Sequence, residues 1–377
     1  MKIAEIRTHL LHHRLDQPFQ SAFSTFTDRW ACLVEIVCDD GTTGWGECLG
    51  PAGPNAATVQ AMAPLILGHD PLLIEPIWTR IYNQFRDQGQ RGLAVTAQSG
   101  IDIALWDIAG KHFGVPVHAL AGGAYRDSVP AYATGGFRQP GRDRIDALEE
   151  EMARHVADGF GAAKIKIGYG HAIDLLAIRA ARDVLGPERR LMVDANHGYD
   201  AIEAIRLGRA AADYDLDWFE EPVVPEQLAA YREVRAGQPI PVAGGETWQG
   251  RAAHAEAIAA RAIDILQPDV AACGGITEMR KIAAMAETTG IRLVPHVWGT
   301  GITVAASLQM LAILPPVPQR HAASDPWLEF DRTDNPFRMA ILEQPITCRD
   351  GRVTIPQGPG LGIEIDRAAL AEWSVPG

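Results

Sequence analysis

Six apolar runs in the middle of this chain each end on an ionisable side chain, and they recur at steps of 23 to 28 residues. AAKIKI carries Lys164 and Lys166. RLMVD ends on Asp194, LDWFE on Glu220, IPVAGGE on Glu246, IDILQPD on Asp269 and IRLVPH on His296. Short runs rich in Ile, Val and Leu, bounded by Gly or Pro, read as buried parallel strands. Between them lie Ala-rich segments with helical spacing, such as AIDLLAIRAARDVLG and AIEAIRLGRAAADY. A strand, a helix and two loops fill roughly 25 to 30 residues, the size of one βα repeat. A chain of such repeats closes into a barrel whose strand C-termini meet at one face. The seven ionisable groups are therefore expected to converge on one mouth. Charges on a solvated surface would follow helices; these sit where strands stop.

The full length of 377 residues sets the outer bounds. It holds a barrel of roughly 250 residues and a second unit of about 100. A net charge of −13 offers no basic patch to phosphates and argues against nucleic acid. No apolar run reaches the length of a membrane span, and MKIAEIRTHLLHH lacks the pattern of a secretory leader. Five cysteines at wide spacings make neither a disulfide framework nor a zinc site. A cytoplasmic setting is expected.

In chain order, KIAEIRTHLL and CLVEIVCDDGTTGWGE alternate apolar and polar residues around a turn signal at Asp39-Asp40-Gly41, the pattern of a hairpin. Residues 14–30 show no clear period and read as a long loop, a lid or a disordered segment. GECLGPAGPNA reads as a second loop, connector or lid. Residues 57–121 have helical spacing, with Trp106 in the core and RDQGQRG (86–92) as a polar connector. AYATGG begins the first barrel strand. The predicted fold is α/β: a (β/α) TIM-type barrel at 126–339 with an N-terminal α+β capping domain at 1–125, completed by a returning segment at about 340–377.

Asp194, Glu220 and Glu246, on consecutive strand ends, give three hard oxygen ligands suited to Mg²⁺. Taken singly, Glu220 or Glu221 reads equally well as a helix cap and Asp194 as an Asx-turn with Asn196. Buried together, three like charges need a cation. Lys164 and Lys166, two apart on a strand, point the same way. Their mutual repulsion favours a neutral amine and makes Lys166 a candidate base; the bland alternative is an exposed strand face. Asp269 can accept from His296 Nδ1, fixing its tautomer and raising its basicity. A metal between two bases suits removal of a proton α to a carboxylate, whose enediolate needs a cation and whose base must be tuned.

Lys164-Ile165-Lys166, Val193-Asp194-Ala195-Asn196, Glu220-Glu221-Pro222, Gly244-Gly245-Glu246, Gln267-Pro268-Asp269 and Pro295-His296 together resemble the enolase superfamily, mandelate racemase subgroup. The resemblance covers essentially the whole chain. It implies a capped barrel whose two N-terminal loops, 14–30 and 50–56, close over the site. It implies Mg²⁺ on Asp194, Glu220 and Glu246, with Lys166 and His296 as acid and base and Asp269 behind His296. Lys164, Asn196 and Glu329, the last in LEFD, would bind the substrate carboxylate. RDQGQRG, WFEEPVVPEQL, PVAGGETW, PHVWGTG, EFDRTDNPFR and GPGLGIEI look like the branch of that subgroup that opens acid-sugar lactones. This implies β-elimination of a hexarolactone to a 3-deoxy-2-keto-hexarate. A small carboxylate or lactone substrate and a homo-oligomer, an octamer, follow from the same likeness. An open-chain acid-sugar dehydratase and a racemase or epimerase remain open, because both bases are present. A barrel used only for binding is the alternative outside enzymes.

Overall fold

The structure, a computed structural model, describes residues 1–316 and 324–376. Residues 317–323 of the expected barrel unit and residue 377 of the expected returning segment lie outside the described residues.

The N-terminal third is an antiparallel sheet of β1 (Ile3–Gln20), β2 (Thr25–Cys38) and β3 (Thr43–Cys48). Four helices follow: α1 (Ala52–Met62), α2 (Ile74–Phe85), α3 (Leu93–Phe113) and α4 (Val117–Leu120). Most of α3 is buried, because β3 lies directly on it. A Cβ on Gly44 or Gly46 would strike the carbonyl oxygens of Ala104 and Gly100. The glycines of TGWGEC are thus what lets strand and helix touch backbone to backbone.

The expected loop at 14–30 is instead a continuation of the hairpin. β1 and β2 project past the sheet as one arm that turns at residues 21–24. A register shift between Arg14 and Phe19 interrupts the two-residue alternation, as a bulge does, and that break made the segment look aperiodic. The second expected loop is shortened too: α1 already begins at Ala52, after Pro51.

The barrel repeats strand and helix: β4 (Ser128–Gly135), α5 (Arg144–Ala157), β5 (Ala162–Lys166), α6 (His171–Leu185), β6 (Arg190–Asp194), α7 (Ala201–Ala210), β7 (Leu216–Glu220) and α8 (Leu228–Gly237). It continues with β8 (Val242–Gly244), α9 (Gly250–Ala259), β9 (Ile265–Leu266), α10 (Gly275–Thr289), β10 (Arg292–Leu293), α11 (Gly301–Ile313) and β11 (Leu328–Asp331). Neighbours from β4 to β10 pair in parallel, and β11 pairs in parallel with β4. Between β10 and β11 no ladder forms among the described residues; there the Val297 amide donates to the Glu329 carboxylate at 2.9 Å. The lower interior is filled by one side chain from each strand position: Tyr132, Ala162, Met192, Trp218, Ala243, Ile265, Val294 and Trp327. It is a packed core, and two residues further along several of these strands the interior side chains become charged.

The C-terminal segment divides. The hairpin of β12 (Cys348–Arg349) and β13 (Arg352–Thr354) pairs with the start of β4. Beyond it, α12 (Arg367–Trp373) is capped by Asp366, and β14 (Ser374–Val375) pairs with β1 at Leu10 and Leu11. The cap is also tied to the barrel by Glu47 of β3. This buried carboxylate accepts from the amides and hydroxyls of Thr300 and Thr303 at the start of α11, where the helix dipole favours an anion.

Candidate active site

The strand ends converge as the spacing required. Lys164 and Lys166 both face the barrel interior from β5, and both are buried. Lys164 Nζ pairs with Glu220 and lies 2.7 Å from Glu329 Oε1 and 3.7 Å from Asp194 Oδ2. Lys166 Nζ pairs with Asp194. Across the mouth, His296 Nδ1 sits 2.6 Å from Asp269 Oδ2, and its Nε2 is 3.4 Å from Glu246 Oε2. One basic side chain therefore meets Asp194 and the other meets Glu246, from opposite flanks of the carboxylate group.

The charge state of the lysines differs from the expectation. Burial pulls the Lys164 pKa down, but Glu220, Glu329 and Asp194 raise it well above the ordinary lysine range. Lys166 is raised as well, because Asp194 outweighs burial and the repulsion of Lys164. In the metal-free chain both are ammonium groups, held charged by carboxylates that neighbouring strands supply. Asp194 is correspondingly depressed despite its burial, by Lys166 and Lys164. Burial pushes Glu220 up to about 7 against the pull of Lys164. Glu329 resists burial and falls to about 2 beside Lys164.

Oxygen atoms of Asp194, Glu220 and Glu246 come within 4.8 Å of one another. Glu246 Oε2 is buried with no hydrogen-bond partner among the described residues. Three hard oxygen donors, one orphaned, fit a divalent cation such as Mg²⁺. Asp194 also forms the Asx-turn that is its alternative reading when taken singly: the Asn196 amide donates to Asp194 Oδ1 at 2.9 Å, and the Asn196 side chain lies 3.4 Å from Oδ2. Glu329 is held by the Thr134 hydroxyl at 2.7 Å and by the Val297 amide.

The sequence assigns no role to Trp218, Gln267 or His197, which the structure places here. The Trp218 indole and the Gln267 amide donate to Glu220 Oε2 at 2.8 and 2.7 Å, orienting that carboxylate. Trp218 was legible in LDWFE as the residue two before Glu220, on the same face of the strand. Glu221 is buried beside the group, 3.2 Å from His197 Nε2. Both lie in the left-handed backbone region, as does Asn196 (φ 43°, 64° and 40°), a strained conformation concentrated where β6 and β7 end. Phe19, Phe26, Phe137 and Trp298 pack over the mouth from four segments.

A capped barrel with a carboxylate triad flanked by Lys166 and His296 has the parts of an acid–base enzyme acting on a carboxylate. The N-terminal domain of mandelate racemase / muconate lactonizing enzyme matches residues 4–122, and the enolase C-terminal domain-like family matches residues 147–369. The chain belongs to the enolase superfamily, in its mandelate racemase subgroup. It is 59% identical over 376 residues to the D-galactarolactone cycloisomerase of Agrobacterium fabrum, covering 100% of both chains. It is 35% identical to the arabinonate dehydratase of Saccharolobus solfataricus, covering 90% of this chain and 89% of that one. The crystal structure of the 3,6-anhydro-D-galactonate cycloisomerase from Zobellia galactanivorans superposes over 100% of both chains, with a TM-score of 0.91 at 36% identity.

Proposed function

We propose that this enzyme is a lactone cycloisomerase: it removes the proton α to the carboxylate of a hexarolactone and opens the ring by β-elimination, giving a 3-deoxy-2-keto-hexarate. The observation that carries the acid–base reading is the pressing of Lys166 and His296 against different carboxylates of one triad. Full-length identity of 59% with a galactarolactone cycloisomerase supports the lactone as substrate.

Asp194, Glu220 and Glu246 would hold Mg²⁺, which when bound supplies positive charge to the substrate carboxylate as the enediolate develops. Lys164 and Glu329 orient that carboxylate, and Asn196 fixes Asp194. One of Lys166 and His296 takes the α-proton from its flank, with Asp269 holding the His296 tautomer. In a 1,4-lactone the group on the β-carbon is the ring oxygen, which departs with the bond electrons as a carboxylate. It needs no proton on leaving. The second base is required later, to deliver a proton to the same carbon as the enol becomes the ketone. Atoms balance, so the reaction is an isomerisation. A homo-oligomer in the cytoplasm is part of the same proposal.

The 35% identity with an arabinonate dehydratase favours a second reading, in which an open-chain sugar acid loses hydroxide. That leaving group does need a proton. The test is a screen of aldaric acids and their 1,4- and 1,5-lactones with Mg²⁺, followed by proton NMR in D₂O. Ring opening of a lactone with one deuterium at product C3 is expected. Turnover confined to open-chain acids would select the dehydratase, and inversion without elimination a racemase or epimerase.

A further inference from the structure

Four aromatic rings meet beside Lys166. Phe19 lies 5.0 Å from Phe26 and 4.7 Å from Phe137, and Trp298 lies 5.5 Å from Phe137 and 6.0 Å from Phe26, centroid to centroid. The Lys166 ammonium sits 5.1 Å from the centre of Phe137. Phe26 and Trp298 also line a cavity of about 260 Å³ between the arm and the barrel, with Asp28, Arg29, Glu47 and Asn335 on its other walls. Trp298 is fixed from behind: the Arg29 guanidinium stacks 4.2 Å from its ring centre, and is itself held by Asp331 and the Asp334 carbonyl. The lining therefore offers rigid ring faces and charged groups that are already engaged: Arg29 by Asp331, Asp28 by His12, and Glu47 by Thr300 and Thr303. Asn335 Oδ1 is buried there without a hydrogen-bond partner among the described residues.

This lining treats a lactone and its hydrolysed acid differently. Both carry the carboxylate that would meet the triad. The open acid carries a second charge at its far end, which loses water against aromatic rings and meets no free cation in this lining, where Arg29 is already paired with Asp331. The lactone carries a neutral ester there, and its flat C–H face packs on an aromatic face. We propose that Trp298 and Phe26, backed by Phe19 and Phe137, form a wall that selects the closed lactone over the open-chain acid, with Asn335 accepting a lactone hydroxyl. The inference rests on the lactone reading above.

The test measures kcat/KM for D-galactarolactone and the Ki of galactarate as competitor, in the Mg²⁺-loaded full chain. Variants are Trp298→Ala, Trp298→Phe and Phe26→Ser. Trp298→Ala is expected to lower kcat/KM for the lactone about tenfold or more while galactarate binds as well as before or better. Trp298→Phe keeps the ratio of the two within about threefold, since a ring face remains. Phe26→Ser, on the arm and away from the Arg29 stack, moves the ratio in the same direction and decides the matter if Trp298→Ala does not fold. Both constants worsening by one common factor in Phe26→Ser and Trp298→Ala overturns the proposal and leaves the lactone reading intact. A wild-type enzyme that opens no lactone removes both.

Discussion

Lys166 and His296 are expected to fail differently when removed. Lys166→Ala and His296→Asn should each lower overall lactone turnover by about a hundredfold or more. In D₂O each variant should keep exchange only for the proton presented to the surviving base. Near wild-type turnover in both would remove the two-base assignment. Asp269→Asn should resemble a weakened His296→Asn, because the imidazole loses its tautomer anchor. Burial lowers the His296 pKa, yet Glu246 and Asp269 push it up to about 10. A group raised from about 6.5 stabilises the fold fully below that pH and loses its contribution as pH climbs towards 10. Thermal stability of the metal-free chain should therefore fall across that window, and His296→Asn should flatten the fall. Mg²⁺ should flatten it too, by taking up the charge of Glu246. Which residues meet at the mouth was legible, since a repeat puts each strand end at the same height. Their protonation was not. Lys164 owes its charge to Glu220 and Glu329, partners on other strands whose distance from its ammonium no spacing encodes.

The arm shows the same limit for whole elements. Strands that alternate cleanly are legible in the sequence, while the stretch across the bulge carries the pattern of a loop. The ladder pairs Arg14 with Asp28 and Phe19 with Phe26 but leaves residues 15–18 without partners in register. Amide hydrogen exchange should accordingly be slow at Phe26 and Asp28 in the free enzyme and fast at residues 15–18 and the 21–24 turn. Those fast positions should slow when a substrate analogue binds; unchanged rates with and without ligand would mean that the arm takes no part in enclosing it. Aromatic contacts at its end were likewise invisible, because Phe19, Phe26, Phe137 and Trp298 come together only after four separate turns of chain.

Among the contacts that join cap and barrel, one is a buried carboxylate whose loss is costly. Glu47 satisfies four donors of Thr300 and Thr303 from across the junction. Glu47→Ala strands those donors in a buried place, and should cost about 3 kcal/mol of stability, seen as a lower unfolding midpoint in urea. Glu47→Gln, which keeps one acceptor, should lose less; equal midpoints for Ala and wild type would show that the carboxylate does not hold the junction. The barrel itself was readable from the repeat, but this junction was not, since Glu47 carries no sign in TGWGEC of a partner some 250 residues away. The arm has a different relation to the whole. From Arg14 to Ala31 its two strands bond chiefly to each other, and it meets the barrel mainly through side chains and the short Gln20–Arg138 bridge. Such a piece is a cassette: it can be exchanged between relatives in one cut, carrying Phe19, Phe26 and Arg29 together. If the aromatic wall selects the substrate as proposed, swapping this one accessory would alter preference while the catalytic barrel stays as it is.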